Sequence, residues 1–248
     1  MDLYQELNPK EAELVLELVK ALKRQAKSYE NPESDICDAR FSEDFVSRLK
    51  IYHALNDDVL KKKTFEYAFA RSLGCSGKSA IVTESSVHPG EDVLVEGVKF
   101  SLKTEASKSI NPNSITISKL MEARWIRECT NGESIAAAVK SNVVSHLKRY
   151  DRILVLRAFK EKYSYRYRLV EIPVGLLLLM DALRPDDFSP RTRNGSSRAV
   201  VYYQSAHAFS LSLDGSVEKI TIHGLRESLC ILHGEWIVPI ASVLESFE

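Results

Sequence analysis

The chain carries no cysteine pair at CxxC spacing: Cys37, Cys75, Cys129 and Cys230 stand far apart in 248 residues. That spacing predicts neither a disulfide framework nor a zinc ribbon, and it predicts a reducing, cytoplasmic compartment. Long apolar runs are missing as well. The most apolar stretch, Val174 to Met180, is far shorter than the ~20 residues that cross a bilayer, and the opening MDLYQELNPK lacks a basic-then-apolar leader, so no membrane role is expected. Neither an internal repeat nor a low-complexity tract is visible. Any excess of charge is absent too, since 34 Lys+Arg meet 34 Asp+Glu. A zero balance alone argues against a polyanionic partner. Divided by segment, however, the zero is a cancellation. Residues 1–58 hold 8 basic and 13 acidic side chains, residues 204–248 hold 2 and 6, and residues 140–203 hold 13 and 6.

What is present reads as one α/β domain over 1–248, with a helical part over 1–55, a central part over 56–160 and a remainder over 161–248. Asn8 followed by Pro9 predicts a capped helix over 9–28, with Leu14, Leu18, Ala21 and Leu22 at helical spacing. The polar, acidic stretch Glu30 to Asp44, with Pro32, predicts a loop or a partner-facing surface. A helix is expected over 57–73, burying Phe65, Phe69 and Leu73, followed by short strands at 80–83, 92–95, 98–104 and 114–118. A helix over 134–149, strands at 152–159 and 163–172 and a short helix over 173–183 come next. The segment Arg184 to Arg198 predicts an exposed loop. A hairpin around Asp214-Gly215 (208–213 with 217–222) and a last strand near 229–239 close the chain.

Chemistry concentrates in His88 to Ser107, HPGEDVLVEGVKFSLKTEAS. A tight turn at Glu96-Gly97 pairs Val95 with Val98, Leu94 with Lys99 and Val93 with Phe100, and it sets Asp92 across from Ser101. Faces alternate with period two. One face is apolar (Val93, Val95, Val98, Phe100, Leu102), and the other carries Asp92, Ser101, Lys103 and Glu105. A carboxylate and a lysine fixed on neighbouring strands suit metal-assisted phosphodiester hydrolysis. Asp92 can offer oxygen to Mg²⁺, and Lys103 can orient or deprotonate the attacking water.

These residues carry a resemblance. Asp92, with Ser101-Leu102-Lys103 nine to eleven positions later, resembles the PD-(D/E)xK nuclease signature. TFEYAFARSL (64–73), PGEDVLVEGVKFSLKTEASK (89–108), ITISKLMEARW (115–125), LVEIP (169–173), FSLSLDG (209–215) and CILHGEW (230–236) are similar, in the same order, to type II restriction endonucleases of the SmaI-like family. The resemblance implies a restriction-endonuclease-like mixed sheet in αβββαβ order with flanking helices and a C-terminal β-hairpin. It further implies a catalytic core over 56–160, DNA-recognition and dimer-supporting parts over 161–248, and Mg²⁺-dependent cleavage of both strands of duplex DNA by a homodimer. A GC-rich palindrome such as CCCGGG and a place in a restriction-modification system go with it. Residue by residue, Asp92 takes the place of the metal-binding aspartate and Lys103 that of the catalytic lysine, with the Leu102 carbonyl and Glu66 as further metal ligands. The usual second acid is Ser101 here. Glu66, then Glu105, then Glu84 and Glu91 are candidates to replace it. The departure leaves two alternatives standing: a nicking repair nuclease of the same fold, or a DNA-binding protein without catalysis.

For DNA contact the Arg184 to Arg198 segment offers Arg191, Arg193 and Arg198, the tyrosine-rich strand offers Arg166 and Arg168, and His88 and Lys108 flank the hairpin. Gly77-Lys78-Ser79 resembles the end of a phosphate loop, but Ser72 stands where a glycine is required, and no nucleotide cofactor is expected. Cys230, His233 and His223 lack a fourth partner for zinc.

Overall fold

A computed structural model describes residues 6–83, 90–106 and 110–240. Eleven strands are formed among them: β1 (Lys27–Glu30), β2 (Ala80–Val82), β3 (Val93–Val95), β4 (Val98–Glu105), β5 (Ser114–Glu122), β6 (Arg152–Lys160), β7 (Ser164–Ile172), β8 (Ser197–Tyr203), β9 (Ala206–Asp214), β10 (Lys219–Arg226) and β11 (Ile231–Pro239). Seven make one sheet in the order β1-β11-β7-β6-β4-β3-β2, and four make a second in the order β5-β10-β9-β8. Only β4 and β6 pair in parallel; every other pairing is antiparallel. The protein is thus a mixed α/β fold with a mixed sheet and flanking helices, as expected.

The first helix, α1 (Pro9–Lys23), starts where Asn8 and Pro9 place it. The Asn8 carboxamide accepts from the Lys10 and Glu11 N–H groups, and the Glu11 carboxylate accepts from the Asn8 N–H, a reciprocal cap. It ends earlier than its apolar spacing suggests because Lys27–Glu30 pairs with β11. The expectation of a loop over Glu30 to Asp44 is corrected: its last third opens α2 (Ala39–Leu55). Asp38 caps that helix by accepting from the Phe41 N–H at 2.7 Å. Phe41, Phe45, Leu49 and His53 recur every four residues on its buried face, where Ser42 also accepts from the Trp236 indole N–H, while Arg40 and Glu43 are exposed. The next helix, α3 (Lys62–Cys75), begins later than expected but buries Phe65, Phe69 and Leu73 as the spacing required, and Glu66 with them.

The helices α2 and α3 cover one face of the large sheet. Phe41, Phe45, Phe65 and Phe69 pack there on Phe100, Leu102, Leu154, Leu156, Tyr167 and Trp236. Each fully buried Phe or Leu contributes about 2 kcal/mol relative to exposure. The opposite face is covered by the second sheet and by a helix, α4 (Gly132–Ala138), which passes through a π-helical stretch (Val139–Val144) into a last turn, α5 (Ser145–Leu147). The order α3-β2-β3-β4, then α4-α5 and β6, realises the expected αβββαβ succession, with β5 diverted to the second sheet. A further helix, α6 (Val174–Leu178), follows β7. The C-terminal hairpin is formed by β9 and β10, and Ser197 and Arg198, expected in a loop, begin β8 beside it.

Candidate active site

The β3–β4 hairpin has the register read from the sequence, Val95 opposite Val98 and Val93 opposite Phe100. Its turn needs two residues with positive φ, and Glu96 (50°) and Gly97 (87°) supply them. Asp92 stands just before β3. Its N–H donates to the Phe100 carbonyl at 2.8 Å. Its Oδ2 accepts from the Leu102 N–H at 2.6 Å and from the Ser101 hydroxyl at 3.3 Å. The carboxylate therefore takes a main-chain donor of β4, which fixes it beside the strand that carries the lysine.

Ser101 and Lys103 point away from the α2–α3 face, the same way as Ile153 and Val155 opposite them on β6. Lys103 Nζ donates to Ser101 Oγ at 2.9 Å. Burial pulls the Lys103 ammonium down to about 8, helped by the neighbouring Lys62 charge and opposed by Asp92 and Glu66. Glu66 comes from α3 and is 6% exposed. Lys62, one turn earlier on that helix, reaches both acids: its Nζ lies 2.7 Å from Asp92 Oδ1 and 3.5 Å from Glu66 Oε1. Lys63 Nζ is 3.3 Å from the other Glu66 oxygen. So Asp92, Glu66, Ser101 and Lys103 come together around the Lys62 ammonium.

Among the described residues, no three His, Cys, Asp or Glu side chains form a cage for a metal. Two carboxylates meeting one cation is nevertheless the sparse donor set that suits Mg²⁺, which keeps most of its ligands as water and phosphate. Asp92 and Glu66 converge on a single positive charge, the Lys62 ammonium.

A cleft of about 410 Å³ opens beside these groups, lined by Lys62, Lys103, Thr104 and the β5 segment Ile117 to Met121. There β5 is irregular. Met121 faces Ile220 and Ile117 faces Ile222, so Ser118, Lys119 and Leu120 stand against Thr221 alone. Such bulges re-aim side chains, and this one brings Lys119 to the cleft. His146 on α5 and Tyr150 also lie near: burial, then the charges of Lys103 and Arg149, lower the His146 imidazole to about 4, and burial, then Asp92, raises Tyr150 to about 12. Lys119, His146 and Tyr150 had no signal in the sequence, because only the packing of β5 and α5 against the hairpin brings them here.

The other sequence candidates fall elsewhere. Glu105 shares the Lys103 face, but it is committed to Arg157, whose Nε lies 2.6 Å away, and to the Thr116 N–H at 2.7 Å. Arg157 is wholly buried, and it also donates to the Asn111, Pro112 and Ser114 carbonyls and pairs with Glu227. Glu105 therefore ties β4 to β5 and β6, whereas Glu66, the first of the candidates to replace the missing acid, shares the Lys62 ammonium with Asp92. Glu84, His88 and Lys108 lie outside the described residues. Arg166 is paired with Glu161 and Arg168 with Glu227 and Glu235. Arg191 and Arg193 line a second, open cleft of about 470 Å³ with Arg127, Asn194 and Ser216, and Arg198 is exposed on β8. His233, set aside as a zinc ligand, is held by Ser34 and Glu171 at 2.8 and 3.0 Å, and burial raises the Cys230 thiol to about 12. Among the described residues no helix is long and apolar enough to cross a membrane.

Comparison with known proteins identifies a family. Residues 5–238 match the SmaI family, described as type II site-specific deoxyribonuclease. The chain is 34% identical over 241 residues to the type II restriction enzyme SmaI of Serratia marcescens, covering 94% of each. No solved structure matches it.

Proposed function

The chain belongs to the SmaI family of type II site-specific deoxyribonucleases, and on that premise we propose that it cuts both strands of a short, GC-rich palindrome, CCCGGG being the first to try, with Mg²⁺ as cofactor. The observation that carries the reading is the convergence of Asp92, Glu66 and Lys103 at the edge of a cleft that two further lysines enter.

Asp92 and Glu66 would hold the metal, with the Leu102 carbonyl as a third donor. Bound there, Mg²⁺ supplies charge neutralisation at phosphorus and a more acidic water. Lys103 orients the attacking water in line with the scissile bond. Held near 8 by burial, it is also able to accept that water's proton close to neutral pH. Ser101 fixes the lysine by accepting from it while donating to Asp92, so a neutral hydroxyl does the positioning at the place where relatives of the superfamily carry an acid. Lys119 and the Arg127, Arg191 and Arg193 cleft are suited to phosphate oxygens. A palindrome presents two equivalent strands, so a two-fold symmetric homodimer with one site per strand follows. Such an enzyme operates beside a methyltransferase that protects the same site.

Purified protein incubated with plasmid and Mg²⁺, and in parallel with EDTA, tests the reading. Discrete linear fragments with Mg²⁺ alone support it. Open circles show the nicking alternative, and a gel shift without cutting shows a binding protein. Pre-methylated CCCGGG sites that resist cutting, against open sites that do not, settle the recognition sequence.

A further inference from the structure

Lys62 is placed where the metal is expected. Its Nζ lies 2.7 Å from Asp92 Oδ1 and 3.5 Å from Glu66 Oε1. Its own side chain is 43% exposed, while those of Asp92 and Glu66 are 18% and 7% exposed. One water-accessible cation thus bridges two confined carboxylates that belong to different elements, α3 and the segment entering β3. Two buried acids facing one site repel each other unless a positive charge lies between them. The nearby Lys103 is engaged with Ser101, and Lys63 reaches Glu66. Lys62 alone bridges both acids among the described residues.

We propose that Lys62 is a positioning residue that occupies the cation site, holding Asp92 and Glu66 in ligating posture, and that it is displaced by the metal into the adjoining cleft. The inference rests on the assignment of Asp92 and Glu66 as metal ligands. Two properties of the side chain make the exchange feasible. Its stem is long and its head half-exposed, so it leaves without unpacking a core. The cleft into which its head would turn is the one it already lines together with Lys103 and Lys119, where a phosphate of bound DNA offers a new partner. Metal binding and release of a phosphate-binding cation are thereby the same event. A divalent ion has to compete with an internal ammonium for entry, which weakens metal binding when no DNA is present.

Titration calorimetry of Mg²⁺ and of Ca²⁺ into the full chain, without DNA, tests this on wild type, Lys62→Met, Lys62→Arg, Lys63→Met and Asp92→Asn. Wild type is expected to bind one ion per site, and Asp92→Asn none. Lys62→Met is expected to bind roughly five- to tenfold more tightly, because the competitor is gone, with Lys62→Arg and Lys63→Met close to wild type. With a non-cleaving ion, Lys62→Met should lose the part of its DNA affinity that metal adds in wild type. Unchanged or weaker metal binding by Lys62→Met, with wild type still binding, overturns the role of Lys62 and leaves the ligand assignment intact. Binding by wild type and Asp92→Asn alike, or by neither, overturns both. A melting curve of each variant with and without metal checks that it folds, and the metal-dependent shift should be larger for Lys62→Met than for wild type.

Discussion

Lys103 donates to the Ser101 hydroxyl across 2.9 Å, two residues back on the same face of β4. The hydroxyl in turn donates a hydrogen bond to Asp92 Oδ2 at 3.3 Å. A serine keeps the lysine in place without adding a second negative charge, and burial then keeps the ammonium acidic, near 8. Lys103 is a base only when neutral. The cleavage rate, measured in single turnover with Mg²⁺, is therefore expected to rise with unit slope up to about pH 8 and to level off above it. A rate that is flat from pH 6 to 9 would show that Lys103 takes no proton. Lys103→Ala should abolish cutting and leave the gel shift largely intact.

Restoring an acid at position 101 tests the same chain of bonds from the other side. In Ser101→Glu a carboxylate faces Lys103, and an opposite charge at that range raises an amine by about 1 unit or more. The pH midpoint of cleavage should move up by that amount while metal binding tightens. An unshifted midpoint would mean that the proton is taken elsewhere.

His53 is buried against Tyr165, with ring centroids 4.1 Å apart, and its Nε2 meets the Tyr167 hydroxyl at 2.7 Å. Burial holds it down at about 4 from 6.5, and His146 likewise. A folded value below the unfolded one gives stability that is present above pH 6.5 and is lost as the pH falls toward 4. Between pH 7 and pH 5 each such histidine should cost about 2 kcal/mol. Urea unfolding at the two pH values measures the loss, and His53→Gln should remove about half of it.

The basic cleft of Arg127, Arg191 and Arg193 makes a prediction about salt rather than pH. If each guanidinium neutralises one phosphate, each Arg→Ala change flattens the slope of log affinity against log salt by about 0.9. Lys119→Ala should do the same from the catalytic cleft. Changes that weaken binding equally at every salt concentration would point to lost packing.

The hairpin and its register were legible because both follow from neighbours in sequence: a period-two pattern and a turn that needs positive φ at Gly97. Glu66 was named by the family resemblance, and the structure buries it on α3 with Phe69 and Leu73. The helix α2 was not, since Ser34 to Asp44 is polar and its apolar stripe of Phe41, Phe45 and Leu49 makes sense only against Trp236 and Phe69. Lys62 reads as a surface partner of Glu66 one turn away, and only the fold-back of the chain brings Asp92, thirty residues on, to its ammonium. Lys119 depends on a bulge that exists only in the pairing of β5 with β10.

Glu105 and Glu66 are both acids near Lys103, and a pair of isosteric changes separates them. Glu105 faces a guanidinium with no exposed surface, whose remaining partners are three carbonyls and Glu227. Glu105→Gln keeps the shape but removes a charge from that buried set, and uncovering a buried ion in this way costs about 3 kcal/mol. Its melting temperature should fall by several degrees, and the protein that remains folded should cut normally. Glu66→Gln is expected to do the reverse. Its lysine partners are half-exposed or more, so stability should change by less than about 1 kcal/mol. Loss of a metal ligand should lower kcat at least a hundredfold and weaken metal binding in calorimetry. If Glu66→Gln cuts as fast as wild type while Glu105→Gln is stable and inactive, the second ligand is Glu105 and the Arg157 pair opens when metal binds.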